Sequence, residues 1–319
     1  MSMSLRAVCP LVVLAAMGGC AYRTSENLVH QGELDAQQGR LTSALAALNA
    51  AIGENPRLTS AYIARANVYQ RQGRIEEAAG DYEQVVRLEP FDFSANFQLG
   101  VLYQQLRKFA LAIPVFTRAL AVRPNDVQAN MNLALSYLQN GQALQGLFYA
   151  QRAVQIDDKS AAAEANLGVL YAQTQSHESA IEAFKRALEL DGHEPEVYLD
   201  LGQEYFSTQS YEQARNVLET ARSLAPSARV SERLGATYYH LRQYDKGEAA
   251  YREALKLEPR NIAALNGLGA VLMSQALLAP AGTKADAAQE AGKLWRQSLA
   301  LDKNQSAIQN LVNQYAPPQ

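Results

Sequence analysis

A chain of 319 residues is too long for one ordinary compact core, and its 48% hydrophobic content excludes wholesale disorder. A net charge of -3, with 29 basic and 32 acidic residues scattered along the chain, leaves no footprint for DNA or RNA and no polybasic membrane patch. Two cysteines, Cys9 and Cys20, lie within the first twenty residues, so no disulfide framework holds the body of the protein.

The amino terminus carries Arg6 and no acid, followed by an apolar run from Ala7 to Met17 that ends in Gly18-Gly19-Cys20. That order of charge, apolar stretch and small residues predicts a secretory signal peptide over 1–19. The run is too short for a transmembrane helix, which needs about 20 apolar residues. Met17-Gly18-Gly19-Cys20 resembles the bacterial lipobox, with Met17 where leucine is usual. The resemblance implies cleavage before Cys20, diacylglycerol on its thiol, and a short tether over 20–24. Ala21 is not the aspartate that often retains lipoproteins in the inner membrane, so the resemblance favours the outer membrane, facing the periplasm.

Beyond residue 25 one pattern repeats. Tyrosine recurs at Tyr69, Tyr103, Tyr137, Tyr171, Tyr205 and Tyr238, at spacings of 34 residues four times and then 33. A small residue keeps the same beat three positions earlier, at Ala66, Gly100, Ala134, Gly168, Gly202 and Gly235, and again at Gly269. Such a period marks stacked supersecondary units. The units run 25–58, 59–92, 93–126, 127–160, 161–194, 195–227, 228–261 and 262–304. Each reads as two amphipathic helices: Leu167, Gly168 and Tyr171 share one face of the first, and Ala180, Ile181, Phe184, Ala187 and Leu188 form the stripe of the second. Pro56, Pro90, Pro124, Pro226 and Pro259 close units, because proline cannot continue a helix.

These positions resemble the tetratricopeptide repeat family over nearly everything after residue 25. The resemblance implies an all-α, right-handed superhelical solenoid of about eight helical hairpins, with first helices lining a concave groove. Unit one departs from the pattern, with Gln31 and Asp35 replacing leucine and tyrosine, as suits an end unit with one neighbour. Unit eight carries an insert near 276–286 containing Pro280 and Gly282, which predicts a loop. Trp295 falls at its aromatic core position. Ile308, Leu311, Val312 and Tyr315 have helical spacing and predict a capping helix within 305–319.

An enzyme needs a constellation of reactive groups, and none is legible. His30, His177, His193 and His240 fall on different units without metal-ligand spacing, and His177 and His193 read as solvated turn residues. Gly267-Leu268-Gly269 lies inside a predicted helix and follows no strand, so it is no dinucleotide loop. Glu76-Glu77 and Asp157-Asp158 read as solvated pairs. No cofactor, metal or small-molecule substrate is expected.

The groove is the more informative surface. In the family, the fifth, sixth and ninth positions of a unit face it. Fifth positions read Val29, Ile63, Phe97, Met131, Ala165 and Leu199; ninth positions of units three to five read Val101, Leu135 and Val169. This apolar strip either offers a binding surface or packs between neighbouring first helices. Asn132 and Asn166 stand one repeat apart at the sixth position, flanked by Gln98 and Asp200. They are similar to the asparagine ladder with which the repeats of O-linked N-acetylglucosamine transferase grip a peptide backbone. The family's carboxylate clamp is not matched, since only Arg233 falls at a suitable position.

The expected function is a non-enzymatic, lipid-anchored adaptor. Its groove, at Phe97, Val101, Met131, Asn132, Leu135, Asn166 and Val169, would take a helix or extended segment of another protein in envelope assembly: pilus, secretion, exopolysaccharide export or cell-wall complexes. A self-assembling scaffold using the convex face or the insert, and a regulatory subunit of an envelope enzyme complex, are the alternatives.

Overall fold

The computed structural model describes residues 10–278 and 284–315, with side chains described over 24–278 and 286–315. The first nine residues with Cys9, the Cys20 side chain, residues 279–283 of the insert and Pro317-Pro318 lie outside them. The described residues form helices and no strand. The chain divides into two compact units, Met1–Ile156 and Asp157–Gln319.

The first unit holds four hairpins: α1 (Pro10–Gln37) with α2 (Leu41–Glu54), α3 (Thr59–Arg71) with α4 (Ile75–Leu88), α5 (Phe93–Gln105) with α6 (Phe109–Val122), and α7 (Val127–Gln139) with α8 (Ala143–Ile156). The second holds α9 (Ala161–Gln173) with α10 (His177–Leu190), α11 (Pro195–Ser207) with α12 (Tyr211–Leu224), α13 (Ala228–His240) with α14 (Tyr244–Leu257), α15 (Ile262–Leu278) with α16 (Lys284–Leu301), and the closing helix α17 (Ser306–Tyr315).

Each of the first seven hairpins turns through one left-handed residue. Gly39, Gly73 and Gly141 fill that place in three, and Arg107, Gln175, Gln209 and Arg242 in four, at φ between 57° and 60°. The residue after it donates its N–H to the carbonyl at the repeat tyrosine position, as Lys108 does to Tyr103 at 2.8 Å and Ser176 to Tyr171 at 2.9 Å. The beat of the tyrosine thus marks the end of each first helix as well as its apolar face.

Between hairpins the side chains close the backbone. Asp92 and Asp126 cap α5 and α7 by accepting from the amides of Ala95 and Ala129 at 2.6 and 2.8 Å. Asn96 and Asn130, both buried, reach back to the carbonyls of Pro90 and Pro124 at 2.9 and 3.1 Å. Carbonyls orphaned by the proline breaks are satisfied in this way.

In the hairpins whose first helix carries a glycine at the crossing, a large side chain of the second helix sits on it. A Cβ on Gly100 would lie 2.6 Å from the Phe116 ring, and one on Gly168 2.7 Å from Phe184. Both rings are fully buried. Two helices meet this closely only if one offers no side chain at the crossing.

In unit one, the polar replacements form a small network. Asp35 is buried and held by Arg40, with Gln31 Nε2 donating to it at 3.2 Å. The Arg40 guanidinium holds the Asp35 carboxyl below its ordinary range. Helix α1 runs unbroken from Pro10, so the backbone from Cys20 to Thr24 is helical and continuous with the first repeat. No helix among the described residues is long and apolar enough to cross a membrane.

Unit eight differs from the expected loop. Helix α15 extends through Leu278, giving 17 residues where α13 has 13, and α16 begins at Lys284. Of the added turn, Ala276 is buried while Leu277 and Leu278 are exposed, and strong helix formers carry the helix over residues expected as loop. Trp295 is buried in the core as expected, its Nε1 donating to the Asn266 carbonyl at 3.2 Å. Helix α17 covers this end of the second unit with Val312 buried, and Ile308 and Leu311 packed beside it.

Candidate binding face

In each unit, first helices of successive hairpins touch one another: α1 with α3 and α5 with α7 in the first unit, α9 with α11, α11 with α13 and α13 with α15 in the second. First helices therefore line a shared face. Its residues stand at the fifth, sixth and ninth positions.

In the first unit, the Phe97 ring stacks on Phe93 at 5.8 Å and meets Phe116 edge-on at 5.7 Å. Phe97 and Val101 are half-buried and packed against the core, so each is partly scaffold. Met131 is half-buried as well. Leu135 is the open member, 37% exposed. The strip thus does both things that its sequence allowed: it packs at one end and opens at the other. The side-chain amide of Gln104 bridges α5 to α7, donating to the Asn132 carbonyl and to Ser136 Oγ, both at 2.9 Å. That bond uses the Asn132 main chain; its half-buried side chain makes no hydrogen bond among the described residues and lies about one turn from Leu135. A free amide can donate and accept at once.

In the second unit, Asn166 and Val169 are half-buried on α9, with Val169 packed beside Phe184 and Leu201. Asn132 and Asn166 belong to different units. Farther along, the face changes character. Leu199, at a fifth position, is buried in the core rather than open. The groove positions of the following first helices are polar: Asp200 and Gln203 on α11, Glu232 and Arg233 on α13, and Asn266 on α15. Burial pushes the Asp200 carboxyl from its ordinary 3.8 to about 6, with Arg229 pulling it back and Glu196 and Glu204 pushing it further. Burial also raises Glu232, against Arg233 and Arg229. The Gln203 Oε1 and Asn266 Oδ1 atoms are buried without a hydrogen-bond partner. Sequence reasoning touched only Asp200 and Arg233 here. The available signal was the replacement of apolar residues by polar ones at groove positions of units six to eight.

The histidines do not converge. His177 opens α10 and its Nδ1 lies 2.7 Å from the buried Glu204 carboxylate, so it is a structural partner and not the solvated turn residue expected. The contact with α11 spans 27 residues, a separation that local patterns do not register. His193 is exposed and bonds Asp191 at 3.1 Å. His240 stacks on Tyr211 at 4.6 Å. Among the described residues no group of three or more His, Cys, Asp or Glu side chains is placed to hold a metal ion. Gly267 and Gly269 are accounted for by packing: Cβ atoms there would collide with Tyr251 and Trp295.

Three family profiles, each described as tetratricopeptide repeat, match residues 172–234, residues 97–161, and residues 59–92 together with 228–261. The chain belongs to the tetratricopeptide repeat family, whose members generally mediate protein–protein interactions as adaptors or scaffolds. Among solved structures it is similar to the APC/C hetero-tetramer Cut9-Hcn1, with a TM-score of 0.62 and 18% identity over 86% of this chain and 52% of that one. The chain therefore spans about half the length of that relative. A tetratricopeptide repeat protein from Parabacteroides merdae ATCC 43184 gives a TM-score of 0.59 and 16% identity, over 78% of this chain and 99% of that one. YrrB, described as a TPR protein with an unusual peptide-binding site, gives 0.51 and 14%, over 62% and 97%. At these identities the likeness is one of fold. A search of curated proteins returns no match.

Proposed function

We propose that the chain is a non-enzymatic adaptor, lipid-anchored through Cys20 and facing the periplasm from the outer membrane. It takes a helix or extended segment of a partner protein on the face of its first helices, in assembly of an envelope complex such as a pilus, secretion, exopolysaccharide-export or cell-wall machine. The observation that carries the reading is the pairing of the exposed Leu135 with the free Asn132 amide on one helix, beside the Phe97–Val101–Met131 wall. An apolar anchor next to a backbone-reading amide suits a docked segment, and a preformed helical surface binds without large rearrangement. YrrB's described peptide-binding site supports such a use of this fold.

Because Phe97 helps build the core, the informative variant is Leu135→Asp with Asn132→Ala. It should lose a partner crosslinked from membranes while keeping its helicity; full retention sinks the reading. Metabolic labelling with a fatty-acid probe tests the anchor, and a Cys20→Ser chain that still takes label removes it.

Self-assembly has one observation of its own. Leu144 and Phe148, four residues apart on α8, are 73% and 64% exposed, more than is usual for side chains of this size. Light scattering on the soluble Cys20→Ser form separates the two readings, since a strict monomer removes this one.

A further inference from the structure

We propose that the solvent-facing sides of α6 and α8 form a second docking surface, which takes an acidic amphipathic helix of a partner protein. The apolar stripe of that helix seats on Leu111, Pro114, Leu144 and Phe148, and its carboxylates meet Arg123 and Arg152. The surface belongs to second helices, so it stands apart from the first-helix reading above.

A surface helix ordinarily keeps charge on the side that meets water. Helices α2, α4, α10, α12, α14 and α16 each carry at least one carboxylate; α6 and α8 carry none. On α6 the exposed face runs through Ala110, Leu111, Pro114, Thr117, Ala121 and Val122, at helical spacing. Its one polar group is turned inward, since Thr117 Oγ1 donates to the Ile113 carbonyl of its own helix at 2.8 Å. On α8, the exposed Leu144, Phe148 and Arg152 follow at intervals of four. The Phe148 ring meets Tyr149 edge-on at 5.1 Å, and Tyr149 stacks on Tyr137, so the row is held in place before any guest arrives. Arg152 Nη2 donates to Asn125 Oδ1 at 2.8 Å, in the loop that ends α6. The row on α8 therefore ends beside the exposed Val122 and Arg123, where the row on α6 ends.

Charge selects the guest. Over residues 93–156 the cations Arg107, Lys108, Arg118, Arg123 and Arg152 face a single acid, Asp126, whereas the rest of the chain is net acidic. Asp126 is occupied in capping α7. Arg118 and Arg152 bond only side-chain amides, of Asn96 and Asn125, and Arg123 lies over the Phe93 ring at 4.2 Å. These contacts leave the positive charge uncompensated and open to carboxylates from outside. A basic guest would meet like charge. A second copy docked about a two-fold axis would set the same arginines opposite one another. An anionic bilayer suits the charge but not the shape: Leu144 and Phe148 make a narrow ridge flanked by Gln145 and Gln151, not the broad apolar face of an interfacial helix. A ridge of side chains four residues apart packs into the groove of another helix.

The test uses the full chain and three fluorescein-labelled amphipathic helical peptides of about five turns, with leucine on one side and glutamate, glutamine or lysine on the other. Fluorescence anisotropy should show the glutamate peptide binding about ten-fold or more tighter than the glutamine peptide, with the lysine peptide weakest. Arg123→Gln with Arg152→Gln, both at exposed positions and checked for unchanged helicity, should bring the glutamate peptide down to the glutamine level. Leu144→Ser with Phe148→Ser should weaken the glutamate and glutamine peptides by the same factor. Leu135→Asp should leave the glutamate preference intact.

Equal binding of the glutamate and glutamine peptides overturns the proposal, as does a glutamate preference that survives in the Arg123→Gln/Arg152→Gln chain. A chain indifferent to all three peptides that sediments with phosphatidylglycerol vesicles through Leu144 and Phe148 gives this face to a membrane instead. One that forms a dimer lost in the Leu144→Ser/Phe148→Ser chain gives it to a second copy, and the proposal fails in either case.

Discussion

The hydroxyl end of the Tyr251 ring, from α14, lies against the Cα of Gly267 on α15, leaving no room for a methyl group there. A glycine inside a helix costs about 1 kcal/mol relative to alanine, so on propensity alone Gly267→Ala should stabilise the chain. The contact reverses that sign. Gly267→Ala is expected to destabilise by about 1–3 kcal/mol in urea denaturation, the usual range for overpacking. Adding Tyr251→Leu, which copies Leu218 of the preceding hairpin, should recover much of the loss. A stabilised Gly267→Ala chain would show that the two helices do not approach this closely.

The left-handed turns make a second prediction. Arg107, Gln175, Gln209 and Arg242 hold a conformation that disfavours a Cβ, while their counterparts Gly39, Gly73 and Gly141 do not. Gly73→Ala should lower stability by about 1 kcal/mol, and Gln175→Gly should raise it by several tenths, the gain reduced by the added freedom of the unfolded chain. Thermal melts of the two variants should move in opposite directions.

Asp200 ties stability to pH. Its folded-state pKa stands above the unfolded value, at about 6 against 3.8, so the folded chain holds the proton more tightly and its charged form works against folding. Asp200→Asn removes that cost. The variant should be more stable than the parent at pH 7.5, by on the order of 1 kcal/mol after allowance for the side chain's remaining contact with water. The advantage should shrink as the pH falls through 6 and vanish below 3.8, where the carboxyl is neutral in folded and unfolded chains alike. Urea titrations at pH 7.5, 5.5 and 3.5 measure this directly; a variant equally advantaged at all three contradicts the assignment.

Arg65 and Asp81 form a buried pair across one hairpin. Arg65 Nε donates to Asp81 Oδ2 at 2.9 Å and Nη2 to Oδ1 at 2.5 Å, with the Asp81 side chain 5% exposed. Arg65→Met should cost about 3–5 kcal/mol, because it leaves a buried charge without its partner. Changing Asp81→Leu as well should return most of the loss, and a double variant as unstable as the single one would contradict that account.

The fold was legible because its determinants are local and repeated. The Gly168–Tyr171 spacing sets one face of a helix, and prolines close five of the units, so the all-helical repeat class was readable from the chain alone. The longer reach of individual side chains was not legible. Tyr251 passes beyond its own hairpin to Gly267, and His177 reaches Glu204 on the next first helix, and no local pattern announces either. The end of α15 was misread because Pro280 and Gly282 drew the expected loop back over residues that continue the helix. At the candidate face, position within the repeat could not separate the exposed Leu135 and the half-buried Asn132 from Phe97, whose ring packs against the core. The unpartnered Gln203 Oε1 and Asn266 Oδ1 were hidden for a related reason: a lack of donors becomes visible only when neighbouring helices are in place.

Site-specific photocrosslinking tests the central claim, that partners are taken on the first-helix face. Benzoylphenylalanine would be placed at Leu135 in one chain and at Phe148, on α8, in another, and both irradiated in membranes. The account predicts a discrete partner adduct from position 135 that Asn132→Ala diminishes, and none of that adduct from position 148. The same adduct from 148 and not from 135 would contradict it.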